Sequence, residues 1–289
     1  MSALIAAVVC LGTSFTGLPR IDDDGAPVPD ARSEALAILT ETSRQYRRHS
    51  CYEDSGKIRL FTCDFKTGKF GEKPDYVARF PVALRRPDSI RFDLNRDITY
   101  CATPRGVITY IQGRYTETGP SRETDFKKMV PPEIAESFQS LGCEYIITIL
   151  TSMFAGDRPG EEILGLSGEE IEVDQKYEYS GKSYISIWFS GRKYKKYIMS
   201  KTENVLPNIR FLISENNKII EYIMIDSPAS VAVQTAIASG SQSLALMPAC
   251  HAVWSSGSIE TTDQPRVGIF EFRPEGDAMK VDRFEFERK

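Results

Sequence analysis

Hydrophobic and polar positions alternate along most of this chain with a period of two, the pattern of strands buried on one face. The clearest case is 89–95, where Ile90, Phe92 and Leu94 oppose Arg91, Asp93 and Asn95. Segments 57–65, 76–84, 99–102 and 106–115 read as strands too, separated by turn residues at Thr67-Gly68, Lys73-Pro74-Asp75, Arg86-Pro87-Asp88 and Pro104-Arg105-Gly106. Five strands in succession with short turns predict an antiparallel meander. Strands resume near 170. Residues 175–179 turn through Gly181-Lys182 into 184–189, and 194–200, 208–214 and 219–225 follow. The chain ends in the same style, with Phe270 and Phe272 opposing Glu271 and Arg273. Pro274 stops that ladder, Gly276 allows a turn, and Phe284 and Phe286 resume the alternation.

Two stretches break the period. Asp30 or Ser33 can cap a helix in which Ala35, Leu36, Ile38, Leu39, Thr42 and Tyr46 keep helical spacing to about Arg48. Helix formers also dominate 121–154, interrupted at Pro131-Pro132. Within 143–155, Ile146, Ile149, Leu150 and Met153 fall at i, i+3, i+4 and i+7, and Ile147 and Phe154 widen the stripe. Thirteen residues are too few to span a bilayer, which needs roughly twenty, so this helix must bury its face against the sheet. Residues 227–265 are rich in Ser, Ala and Gly, with a short helix over 231–238 and loop over 239–243. No repeat and no composition break divides the remainder. The reading is therefore one domain over 30–289, α+β and mainly β: a large curved antiparallel sheet with helices on one face.

The first 29 residues read as an export signal-like segment and an acidic linker. Residues 3–11 are apolar and have the length of a secretory h-region, although no Lys or Arg precedes them and no Ala-x-Ala site follows. Residues 20–30 carry an Asp triplet and two prolines, without the alternating Asp spacing of a calcium loop. The formal charge of -4 argues against a surface built for nucleic acid, and two histidines among 289 residues leave little acid–base or metal chemistry. Six cysteines at 10, 51, 63, 101, 143 and 250 include no Cys-x-x-Cys pair. That spacing speaks against zinc and leaves room for one or two disulfides in an oxidising compartment.

The order of these features resembles the LolA-like superfamily of bacterial extracytoplasmic proteins, in particular its predicted periplasmic branch. The features are a leading amphipathic helix, an aromatic-rich meander entered through Arg86-Pro87-Asp88-Ser89-Ile90-Arg91, and a helical insertion. Leu206-Pro207 then precedes a hairpin, and the ending is Phe270-Glu271-Phe272-Arg273-Pro274. The resemblance covers most of 30–289. It implies an unclosed β-barrel whose concave face is covered by helices around an apolar cavity, and a periplasmic or otherwise extracytoplasmic location. It also implies a non-enzymatic, outer membrane lipoprotein carrier-like role: holding a lipid acyl chain or a lipidated partner. The alternative is an envelope sensor or protein-interaction module that uses the scaffold without lipid.

Candidate residues follow from this. Met129, Phe138, Ile146, Ile149, Leu150, Met153, Phe154 and Trp188 are the expected ligand-binding set, and the same residues also suit a plain core. Arg192, Lys193, Lys195 and Lys196, interleaved with Tyr194 and Tyr197, form the one concentrated basic patch. It can meet anionic headgroups or simply be a charged edge strand that discourages aggregation. Catalysis would rest on His49 or His251 beside a nucleophile, and Cys250 and His251 are neighbours that point apart on a strand. Phosphate-binding glycine loops are absent from the sequence. No catalytic residue, metal or cofactor is expected, nor a nucleic-acid partner or a transmembrane span. A lipid, a lipoprotein or another protein is the expected partner.

Overall fold

The computed structural model describes residues 30–64, 69–95, 97–121, 123–124, 129–130, 143–191, 193–194, 204–205, 207–227, 250–274, 276–282 and 284. Helix α1 (Ala31–Tyr46) begins where the sequence places it: the Asp30 carboxylate accepts from the Ser33 backbone N–H at 2.7 Å, and Glu34 sits in the first turn. Nine strands follow: β1 (Cys51–Asp54), β2 (Lys57–Asp64), β3 (Lys69–Phe70), β4 (Tyr76–Arg79), β5 (Val82–Arg85), β6 (Ser89–Leu94), β7 (Ile98–Thr103), β8 (Gly106–Ile111) and β9 (Arg114–Thr118). Helices α2 (Cys143–Ala155) and α3 (Pro159–Leu164) come next, α3 opening on a proline whose missing N–H costs a first turn nothing. The last strands are β10 (Ser167–Tyr179), β11 (Lys182–Gly191), β12 (Lys193–Tyr194), β13 (Asn204–Val205), β14 (Asn208–Ser214), β15 (Ile220–Ser227), β16 (Cys250–Ser255), β17 (Ile259–Thr262) and β18 (Met279–Lys280).

Pairing runs β17-β1-β5-β6-β7-β8-β9-β18 on one side and β10-β11-β14-β15-β16-β2-β3 on the other, with β4 also on β2. The two sheets are joined at a bend. Strand pairs β1–β2, β4–β5 and β16–β17 are consecutive in the chain, and each passes from one half to the other through a break of two or three residues. Those breaks hold Gly56, Pro81 and Gly257. A Cβ on Gly56 would stand 2.4 Å from Trp254 Nε1, and one on Gly257 would stand 2.7 Å from the Ser55 carbonyl, so the strands approach more closely there than any side chain permits. Pro81 donates nothing to a ladder, while its carbonyl still accepts from Asp93 N at 3.1 Å. The result is a strongly curled, unclosed antiparallel half-barrel.

Its concave face is apolar. Tyr52, Leu84, Ile90 and Phe92 from one half join Ile187, Phe211, Ile223 and Trp254 from the other in a single buried cluster, together with Leu39 of α1, Leu150 of α2 and Ile163 of α3. The helices therefore cover the inside of the curl, as expected for this fold class.

Local boundaries depart from the sequence reading where one residue changes the backbone. The strand expected over 76–84 divides at Phe80-Pro81. That expected over 106–115 is the hairpin β8–β9, because Gln112 and Gly113 take φ values of 46° and 81° and close a tight turn. The Ser-, Ala- and Gly-rich stretch 227–265 contains β16 and β17, with Ala252 and Trp254 facing the core. Residues 268–273 form no strand. Turns at 266–271 lead into a strap laid across the convex face, and the nearest ladder is the short parallel pair of β18 with β9. The expected helix at 231–238, the loop at 239–243 and Phe286 lie outside the described residues.

Candidate functional site

The apolar interior is built on α2. Ile146, Ile149, Leu150, Met153 and Phe154 project from one side of the helix, and none of the five has any water-accessible surface. Met129, 4% exposed, joins them, and its carbonyl accepts from the Tyr100 hydroxyl of β7. The Met153 carbonyl accepts from Ser43 Oγ of α1 at 3.2 Å, which ties two helices together. Phe154 faces Tyr52 with ring centroids 6.5 Å apart, and Tyr52 faces Tyr46 at 5.2 Å. Six of the eight residues expected to bind ligand are thus brought into one cluster. Side chains without accessible surface touch no void that admits a water, so in this state the interior around α2 is filled by the protein's own atoms. Trp188 does not join them. It pairs in register with Glu172 and Arg210, while Ile187 and Phe189 on either side face the core, so its indole lies on the convex face. Phe138 lies outside the described residues.

Beside this interior runs a polar chain. Tyr46 Oη accepts from Ile220 N at 3.3 Å, and Tyr52 Oη donates to Asp54 Oδ2 at 2.9 Å. Asp54 Oδ1 accepts from Gly257 N at 2.9 Å, holding β1 to the bend of β16–β17. Burial pushes the Asp54 carboxyl up from 3.8 to about 6. A folded pKa above the unfolded one means that the folded chain holds the extra proton. Above pH 6 the folded state carries a desolvated charge, a penalty of at most about 3 kcal/mol from about two pH units at 1.36 kcal/mol each. The penalty fades as pH falls through 6 and is gone near 4. Stability is thus expected to gain this component between pH 7 and 4, and Asp54→Asn to lack it. Urea midpoints of both proteins across that range test the assignment, and parallel curves would refute it.

The convex face carries a second arrangement that sequence reasoning missed. Residues 264–273 cross it as a strap. Arg266 Nε meets Glu53 Oε2 at 2.6 Å, and Arg266 N donates to Glu53 Oε1 at 3.0 Å. Arg91 Nη1 donates to the Ile269 carbonyl at 3.0 Å, and the Cys101 thiol lies 3.4 Å from the Phe270 carbonyl. Arg85 and Arg91 stand over the rings of Phe270 and Phe272 at 5.1 and 5.5 Å. Burial raises the Cys101 thiol to about 11, so it is inert at neutral pH. Beside the strap lies an open groove of about 550 Å³, lined by Arg85, Thr103, Arg105, Glu117 and residues 265–273. Its signal in the sequence was the alternation of Phe270 and Phe272, which required a partner surface. The outward-facing Arg85 and Arg91 supply it.

The remaining candidates are placed as follows. His251 Nδ1 lies 2.6 Å from Asp226 Oδ1, with the Phe61 and Phe70 rings 5.8 and 5.7 Å away, and His49 Nδ1 lies 3.6 Å from Asp263. Among the described residues no Ser, Thr or Cys side chain hydrogen-bonds either imidazole, and no group of three or more His, Cys, Asp or Glu is placed to hold a metal. Cys51 and Cys101 are buried free thiols, and Cys63 is buried as well. In the basic patch only the backbone of Lys193 is described, paired with Val205, and Arg192, Lys195 and Lys196 lie outside the described residues. Among the described residues no helix is long and apolar enough to cross a membrane.

No protein-family model matches this sequence, and no curated protein does. Among solved structures the chain is similar to the lipoprotein LppX of Mycobacterium tuberculosis, with 9% identity and a TM-score of 0.37 over 81% of this chain and 97% of that one. It is similar to LprF of Mycobacterium bovis at 11% identity and a TM-score of 0.35, over 81% of this chain and 97% of that one. A LolA superfamily protein of Nitrosomonas europaea matches at 11% identity and a TM-score of 0.34, over 80% of this chain and 94% of that one. Likeness at such identities and scores carries no argument about this chain, whose own topology is an open, curled antiparallel sheet with helices on its concave face.

Proposed function

We propose that this chain is a non-enzymatic extracytoplasmic binding protein that takes an apolar ligand, an acyl chain or a lipidated partner, between the curled sheet and α2. One observation carries the reading. The concave face of the whole sheet and the inward faces of all three described helices form one apolar cluster, and the described ties of the helices to the sheet include no ladder hydrogen bond. A helix held by side-chain packing and a few polar ties is the part of such a fold that can move. Met129, Met153 and Phe154 are suited to repack around an unbranched guest. Each methylene transferred from water contributes roughly 0.8 kcal/mol, so about a dozen offer roughly 10 kcal/mol against the cost of displacing α2.

The test is saturable uptake of a fluorescent fatty acid by the purified protein, together with native mass spectrometry after gentle extraction. One bound amphiphile per chain is expected. Repeated recovery of a ligand-free chain that also ignores the probe would sink the proposal. A second reading, a sensor or interaction module that uses the scaffold without lipid, is favoured by the absence of accessible surface on the five inward-facing α2 side chains, Ile146, Ile149, Leu150, Met153 and Phe154. It predicts no uptake, with binding instead through a strand edge or the Arg192–Lys196 patch.

A further inference from the structure

At the end of α1 two arginines come together without a carboxylate between them. Arg47 caps the helix, and Arg86 follows β5. Arg86 Nη2 donates to the carbonyls of Arg47, at 2.9 Å, and of His49. Its guanidinium carbon lies 5.0 Å from the centroid of the Phe154 ring. Burial first, and then repulsion from Arg47, lower the Arg86 pKa. Two nitrogens of Arg47, Nε and Nη2, are closed off from water and have no hydrogen-bond partner. A fork of charged donors left unpaired in such a place is costly to a fold, and a second positive charge nearby adds to the cost. The carboxylate that acts on Arg86 is Asp263, which is exposed and already engaged by Ser50 N at 3.2 Å and by His49. Among the described residues neither guanidinium has an ion-pair partner.

An anion answers this arrangement. We propose that Arg47 and Arg86 form an anion site at the rim of the apolar interior, one that receives the phosphate or carboxylate head of an amphiphile. The placement fits that use. Both arginines are half-buried, whereas Phe154, the residue Arg86 covers, is fully buried and continues through Tyr52 into the core. A head held by the two guanidiniums directs its tail along Phe154 toward α2. Arg47 supplies the unpartnered fork, Nε and Nη2, which is covered in this state and, once turned outward, meets two oxygens of one phosphate or carboxylate. Arg86 adds charge while its Nη2 holds the end of α1. The tail's destination rests on the proposed function; the anion site rests on the arginines alone.

The experiment pairs ligands with the same tail and different heads. A long-chain fatty acid and alkyl phosphate are compared with the matching fatty alcohol, and inorganic phosphate is added separately, with wild type and Arg47→Gln followed by affinity and thermal shift. Wild type is expected to prefer the anionic heads by about tenfold or more. Arg47→Gln should lose that preference and keep its affinity for the alcohol. Arg47→Lys, which retains charge without the fork, should fall between, and it serves as the variant if Arg47→Gln does not fold. Stabilisation by inorganic phosphate that Arg47→Gln abolishes, without uptake of any amphiphile, supports the site with free anion as its ligand and removes the proposed acyl binding. Equal affinity of wild type for acid and alcohol, or a preference that survives in Arg47→Gln, overturns the anion site and leaves the proposed function standing. So does indifference of the wild-type thermal shift to every anion tried while the alcohol still binds.

Discussion

Replacing Trp254 by alanine is expected to destabilise the protein by about 3–5 kcal/mol, the range for deleting a large aromatic from a packed core. Trp254 has no accessible surface and lies one residue before the end of β16, between Ile223 on one neighbouring strand and Ile58 on the other. Its indole fills the inside of the bend, in contact range of the space where Gly56 would carry a Cβ. The indole N–H has no hydrogen-bond partner, so the loss is one of volume and contact and not of a bond. Gly56→Ala is the converse change. Its methyl would be driven into the indole and against the Phe80 carbonyl, at an overpacking cost of about 1–3 kcal/mol. In the double variant the methyl meets the space that the indole vacated, so the two costs should not add. Urea denaturation of the four proteins measures the coupling. A loss under 1 kcal/mol for Trp254→Ala would show that the bend does not depend on this plug.

The bend explains which parts of the fold were legible in the sequence. Period-two alternation marks strands buried on one face, and β6 and β14 appeared as expected because Ile90, Phe92 and Leu94, or Ile209, Phe211 and Ile213, all face the core. The α1 cap and the α2 stripe were legible for the same reason: local chemistry and burial agree there. What sequence could not show was that three strand pairs cross from one half of the curl to the other. Gly56 and Gly257 look like ordinary turn glycines until the approach of Trp254 and Ser55 is known. Strands β16 and β17 were hidden in a small-residue stretch because Cys250-His251-Ala252-Val253-Trp254 has apolar residues on both faces. Val253 belongs to a second cluster on the convex side with Tyr184, Leu212 and Met224. Trp188 was misplaced by the same feature, since residue type alone does not distinguish two apolar faces of one strand. The arginine pair at the rim could not be anticipated either: Arg47 and Arg86 are 39 residues apart, and only the return of β5 to the end of α1 unites them.

The closing segment shows how a correct local pattern can serve a different purpose, and it carries the second large prediction. Phe270 and Phe272 alternate as in a strand, yet arginine side chains and a thiol meet the strap, three of its carbonyls among their acceptors. Its anchor is Arg266. The Glu53 side chain beneath it is only 2% exposed, while the Arg266 side chain is 63% exposed. Arg266→Ala leaves that carboxylate buried with one backbone N–H as its described remaining donor. Breaking a buried pair in this way typically costs 3–5 kcal/mol, and the exposure of the arginine lowers the expectation here to about 2–4 kcal/mol. Adding Glu53→Gln should recover much of the loss, because a neutral amide no longer strands a charge in the sheet. The same variant should free the strap. Cys101 is buried against the Phe270 carbonyl with its pKa raised to about 11, so a thiol reagent at pH 8 is expected to leave it untouched in wild type and label it in Arg266→Ala. Cys101→Ser distinguishes that signal from Cys51 and Cys63. If the thiol stays protected after Arg266→Ala while stability falls, Glu53 pairing stabilises the sheet alone, and the aromatic–arginine stacking holds the strap without it.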